Sequence, residues 1–126
     1  MLRRKIVILL LCLVAGWPGG LGAEMGERRF VPGFDDLPLM PGLTVVGEAP
    51  VVFDKPGGRI VDMVAHGPVG QGDALAFYQQ ALPELGWQPL DATAAQARFR
   101  REGELLLIEF AGRERNLTVR FLLSPS

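Results

Sequence analysis

Ala97-Arg98-Phe99-Arg100-Arg101-Glu102-Gly103-Glu104-Leu105-Leu106-Leu107-Ile108-Glu109-Phe110 is the stretch whose reading decides the fold. Its two arms, 97–101 and 105–110, are rich in apolar residues, and Glu102-Gly103 between them suits a tight turn. Such a pattern predicts a β-hairpin. A two-residue turn sets Phe99 opposite Leu106 and Ala97 opposite Ile108. A third strand is predicted over 117–123, after a loop at Gly112-Arg113-Glu114-Arg115-Asn116. Pairing Phe110 with Leu117 then sets Ile108 against Val119 and Leu106 against Phe121. Every inward residue of this meander is then apolar: Phe99, Leu106, Ile108, Phe110, Leu117, Val119 and Phe121. A slip by one residue would turn them all outward.

Working back, a helix is predicted over 73–85, capped at Gly72 or Asp73. At 100° per residue, Ala74, Leu75, Phe77, Tyr78, Ala81, Leu82 and Leu85 share a broad apolar face that packs on the meander. Pro83 bends the last turn and Gly86 stops it. Trp87 to Leu90 is extended, and 91–96 is a loop. Ahead of the helix, Val51, Val52 and Phe53 form a short strand. The turn Asp54-Lys55-Pro56-Gly57-Gly58 leads into an alternating strand with Val61, Met63 and Ala65 on one face. The expected fold is therefore α+β, one amphipathic helix on a mainly antiparallel sheet, in the order ββα(β)βββ.

The chain has 126 residues, and its start reads differently. Arg3, Arg4 and Lys5 precede an apolar run over 6–16, and Trp17-Pro18-Gly19-Gly20 breaks it. A basic start, a short apolar middle and a breaker form a secretory signal peptide, expected over 1–23. The run is about half the roughly 20 residues a membrane-spanning helix needs. Cys12 lies inside it, behind Leu9-Leu10-Leu11 rather than the small residues of a lipoprotein site. A Pro/Gly-rich segment is expected over 24–46 and a single α+β domain over 47–126. Phe34, Leu37, Leu39, Met40 and Leu43 make the second half of that segment too apolar for a free linker. It should lie against the domain.

Residues 24–126 carry ten basic and fourteen acidic side chains, a net charge of −4. That argues against nucleic-acid binding and against attraction to an anionic membrane. They hold no cysteine, and their only serines are Ser124 and Ser126 on the tail. Thiol chemistry and a serine nucleophile on a rigid elbow are thereby excluded from this part. His66 is the single histidine and reads as a strand-end surface residue. Asp35-Asp36 reads as a solvated loop, since nothing fixes the separation of two adjacent carboxylates for acid–base work. The run 54–59 lacks the Gly-Lys-Ser/Thr ending of a phosphate loop and opens a strand. Asn116-Leu117-Thr118 fits a glycosylation triplet only by chance. No catalytic residue, metal site or cofactor is expected.

The informative feature is the outer face of the meander. The registers above place Leu105, Leu107 and Leu122 in a strip flanked by Arg98, Arg100 and Arg120. Arginine beside apolar surface is the composition of a protein contact or of a site for an anionic amphiphile. Two plainer readings compete: the arginine stems cover the leucines, or the segment 34–43 lies across them.

The spelling Phe77-Tyr78, Leu82-Pro83-x-Leu85-Gly86-Trp87, then Phe99-Arg100-Arg101, resembles small exported bacterial proteins of unknown function. In these a Phe-Tyr…Leu-Pro-x-x-Gly-Trp helix follows a β-hairpin. The likeness covers roughly 47–125 and rests on packing residues. The element order is also similar to small envelope-associated modules with accessory or assembly roles. The shared residues carry no function over; the signal peptide and the lack of a catalytic motif lead to the expectation of a periplasmic or secreted, non-enzymatic module. Its partner would be an envelope protein or another copy of itself. A small-ligand carrier and an unrecognised hydrolase are the alternatives.

Overall fold

The computed structural model describes residues 29–126. The expected signal peptide and Cys12 lie outside them. In chain order the elements are β1 (Thr44–Lys55), β2 (Gly58–Gly67), α1 (Gln71–Glu84), β3 (Gln88–Ala92), β4 (Gln96–Arg101), β5 (Glu104–Arg113) and β6 (Asn116–Pro125). The strands form one antiparallel six-stranded sheet, ordered β1-β2-β6-β5-β4-β3. With one helix on it, the fold is α+β.

The β4–β5 hairpin has Phe99 opposite Leu106 and Ala97 opposite Ile108. Its turn is Glu102-Gly103, with φ of 50° and 81°. Two positive φ values give a turn whose twist matches the flanking strands.

The β5–β6 register differs from expectation by two residues. Phe110 faces Val119, Ile108 faces Phe121 and Leu106 faces Leu123. The expected loop over 112–116 contracts to a turn at Glu114-Arg115, and the strands run on to pair Arg113 with Asn116. The longer ladder satisfies more backbone groups. A shift of two leaves every side chain on its own face, so the apolar pattern could not separate the two registers. Gly112 permits the continuation. At φ 138°, a Cβ there would lie 2.2 Å from the Asn116 carbonyl oxygen.

β1 begins at Thr44 and runs for 12 residues, far beyond the expected strand at 51–53. Val46 pairs with Val64 and Val51 with Asp62, and an irregularity between them absorbs Gly47 to Pro50. Those residues look like a break in the sequence but form a bulge in the ladder. The loop expected at 91–96 is likewise shorter: Asp91 and Ala92 pair with Arg98 and Ala97, completing β3.

The helix starts two residues earlier than expected. Its N-cap is Gly70, with no side-chain cap, rather than Gly72 or Asp73. Only Ala74, Tyr78 and Leu82 are fully buried, while Leu75, Phe77 and Ala81 are partly buried and Leu85 is exposed. The buried stripe, spaced every four residues, is thus narrower than the expected face. At the other end Trp87 N–H donates to Leu82 O (3.1 Å) and Gly86 N–H to Pro83 O (3.1 Å). This pair of bonds is a Schellman cap, and Gly86 supplies its left-handed residue at φ 93°.

All seven expected inward residues of the meander are buried, joined by Val61, Met63, Ala65 and Leu123. The helix does not cover them alone. Val31, Phe34, Leu37, Leu39 and Leu43, from the Pro/Gly-rich segment, enter the same core. Phe34 meets Phe121 edge-on at 6.3 Å and Tyr78 meets Phe121 at 5.5 Å. The Tyr78 hydroxyl donates to Pro38 O (2.9 Å) and accepts from Met40 N–H (3.1 Å). One aromatic side chain thereby ties helix, sheet and segment together. Helix and segment share the inner face, so the segment does not lie across the outer leucines.

Candidate functional site

Cross-strand pairing places all six candidate residues on the outer face. Arg98, Leu107 and Leu122 stand in one row, with Arg98 opposite Leu107 and Leu107 opposite Leu122. Arg100 stands opposite Leu105 in the neighbouring row. Arg120 faces Glu109 and Val64, not Leu107, and Leu105 faces Ser124, not Leu122; both differences follow from the two-residue shift. The three leucines are half-buried with no helix above them. Arginine stems at the row ends account for part of that cover.

More apolar surface lies where sequence reasoning stopped. On β1, Val46, Val51 and Phe53 are 53%, 52% and 58% exposed. Their partners Val64, Asp62 and Ile60 are half-buried. Because directly opposed residues share a face, Val46, Val51, Phe53, Ile60 and Val64 add a second apolar group at the sheet edge, separated from the leucines by the Asp62–Arg120 pair. The signal was present as Val45-Val46 and Val51-Val52-Phe53 on either side of the bulge, but the break between them hid their common strand.

Two of the three arginines are paired with carboxylates. Arg98 donates through Nε to Asp91 Oδ1 (3.0 Å) and through a second nitrogen to Oδ2. Arg120 donates to Asp62 at 3.0 and 2.7 Å and lies 3.6 Å from Glu109. Hydrogen bonding to Arg98 holds the Asp91 carboxyl below the usual carboxylate range, and hydrogen bonding to Asp62 raises the Arg120 guanidinium. Arg100 alone of the three has no carboxylate partner among the described residues. The rim charge is neutralised internally at Arg98 and Arg120 but not at Arg100.

Asp35 is solvated as expected, with its side chain 85% exposed, but Asp36 is not. Asp36 accepts two hydrogen bonds from Arg101 (2.9 and 3.1 Å). Arg101 also donates to Leu85 O at the helix end (2.8 Å) and lies 4.2 Å over the Trp87 ring. It clamps the N-terminal segment to the helix terminus, and the Asp36 hydrogen bonds raise its own pKa. His66 Nε2 meets Asn116 Oδ1 at 2.6 Å on the surface. Among the described residues no three His, Cys, Asp or Glu side chains stand close enough to hold a metal ion. No described helix is long and apolar enough to cross a membrane.

A cleft of about 330 Å³ opens elsewhere, between α1 and β3, lined by Gln79, Pro89, Leu90, Asp91, Ala92 and Phe99. It sits where Leu90 bulges out of the β3–β4 ladder. Its one carboxylate, Asp91, is already engaged by Arg98.

No protein-family model matches the chain, and no curated protein or solved structure matches it.

Proposed function

We propose that this chain is an exported, non-enzymatic binding module that docks a protein of the cell envelope on the outer face of its sheet. The placing in periplasm or medium rests on the basic, then apolar, then broken pattern of 1–23. It rests also on the resemblance to small exported proteins. In this reading the ββα(β)βββ order and the amphipathic helix serve to close the inner face and leave the outer one open. The observation that carries the reading is the set of apolar side chains Val46, Val51, Phe53, Leu105, Leu107 and Leu122 on one sheet face, interrupted by Asp62, Arg120 and Ser124, with nothing packed over them among the described residues. Exposed apolar patches bordered by polar residues mark interaction sites. Arginine beside apolar residues is the composition of a protein contact.

Photo-crosslinking in the native envelope tests it. A photoreactive side chain at Leu107 should give a discrete adduct, and one at the exposed helix residue Gln80 should give none. Absence of an adduct at both positions, with the protein folded, would overturn the docking reading.

A second reading, carriage of a small apolar ligand, is favoured by the α1–β3 cleft. A volume of this size falls at the low end of small-molecule sites. Leu90→Asp should abolish such binding and leave the Leu107 adduct intact.

A further inference from the structure

β1 is exposed in a way that the outer strip does not explain. Val46, Val51 and Phe53 lie on the outer face, but Val52, opposite Val61, points to the inner one and is still 49% exposed. A partner lying on one face would leave the other uncovered. Only a partner approaching along the edge covers both, and β1 is an edge strand of the sheet.

Among the described residues the backbone of that edge is open as well. Lys55 and Gly58 flank a two-residue turn and so exchange hydrogen bonds. Alternation then turns the peptide groups of Phe53 and Val51 toward β2 and those of Val52 and Asp54 away from it. An open run of β-branched and aromatic residues is a template for another strand. The opposite edge is blunted: β3 has five residues, a bulge at Leu90 and a proline at position 89.

We infer that β1 pairs antiparallel with β1 of a second copy, joining the two sheets across a two-fold axis at Val52. The two Val52 residues then exchange N–H···O=C bonds. Each Val51 stands opposite the other copy's Phe53, and the four side chains form one apolar patch spanning the junction. No like charges are set directly opposite each other. Self-complementarity of this kind is what an isologous contact requires. The Gly47–Pro50 bulge ends the ladder at Val51, so with the axis at Val52 only Val51 to Phe53 of each copy pair, and the dimer forms and dissociates with concentration. This inference stands on β1 and does not depend on a partner for the leucine strip.

Sedimentation equilibrium on the protein recovered after export tests it. A monomer–dimer equilibrium is expected. Val52→Lys should weaken it by about 100-fold, since it charges an apolar junction twice. Phe53→Lys, at a side chain 58% exposed and opposite the other copy's Val51, should weaken it by about 10-fold without touching the core. Leu107→Lys should leave it unchanged. A protein still monomeric at about 1 mM, the weak end of measurable association, would overturn the inference. So would a dimer that survives both β1 variants, or one abolished by Leu107→Lys alone.

Discussion

The two faces of one sheet share strands and hydrogen bonds, and both carry leucines, yet they have different neighbours. On the inner face Phe121 touches Phe34 and Tyr78 and is fully buried. One residue further along the same strand, Leu122 looks outward and is only half-buried between Leu107 and Asp62. The pleat alone assigns the faces. What distinguishes them is that a helix and an N-terminal segment both settle on one side. Apolar residues on the closed side hold the fold together. Those on the open side contribute little to it and are free to meet something else.

That contrast can be broken most directly at Phe121. Phe121→Ala should cost about 3–5 kcal/mol, because the cavity lies where three structural layers meet. Urea denaturation measures it. A loss below about 1 kcal/mol would mean the inner face is not the closed one.

Tyr78→Phe sharpens the comparison by asking how tightly the segment is held. It strips partners from Met40 N–H and Pro38 C=O and should cost about 1–3 kcal/mol. Burial raises the Tyr78 hydroxyl pKa far above its ordinary value, the Met40 hydrogen bond offsetting this only in part. The unfolded chain ionises its tyrosine near pH 10. Above that pH the unfolded state binds fewer protons than the folded one, so the stabilisation, complete below about pH 10, declines as pH rises. Melting temperatures of the wild type should therefore fall at alkaline pH, and the Tyr78→Phe variant should lack that component.

Arg101→Lys keeps the charge but loses the two-pronged contact with Asp36 and the stacking on Trp87. A cost of about 1 kcal/mol is expected. Proteolysis of the segment carrying Asp36 should quicken more than global unfolding does, because the clamp acts locally.

The smallest effect belongs to the open face. Leu107→Asp should leave the protein folded, with a loss of at most about 1 kcal/mol, since Leu107 is only half-buried. Outright unfolding of this variant would remove the difference between the faces.

Much of this architecture was readable in advance, for particular reasons. Glu102-Gly103 offered one plausible tight turn, so β4 and β5 could pair in only one way. The following hairpin was less constrained. The residues 111–116 admit turns at two places, and both keep Leu117, Val119 and Phe121 inward. A pattern of period two is blind to a shift of two, which is why Arg120 was set beside Leu107 and is found beside Glu109. The sequence signal of β1 is weak because Gly47 and Pro50 punctuate it, although a ladder can carry such residues in a bulge. The candidate strip was recognised through its leucines and arginines. The second apolar group on β1 was not, nor were Asp62 and Asp91, the carboxylates that neutralise two of the arginines.

The sequence by itself determined which residues face together, because alternation along a strand follows from the backbone. It also set where the helix stops, since Gly86 supplies a local left-handed residue. Only the tertiary structure decided which face is covered. The segment with Phe34, Leu37 and Leu39 is apolar enough for either side of the sheet, and its choice depends on partners distant in the chain. Tyr78 is 40 residues from Pro38, and Arg101 is 65 from Asp36. Contacts across such separations leave no local periodicity, so their outcome, including which apolar surface stays open, exists only once the chain has folded.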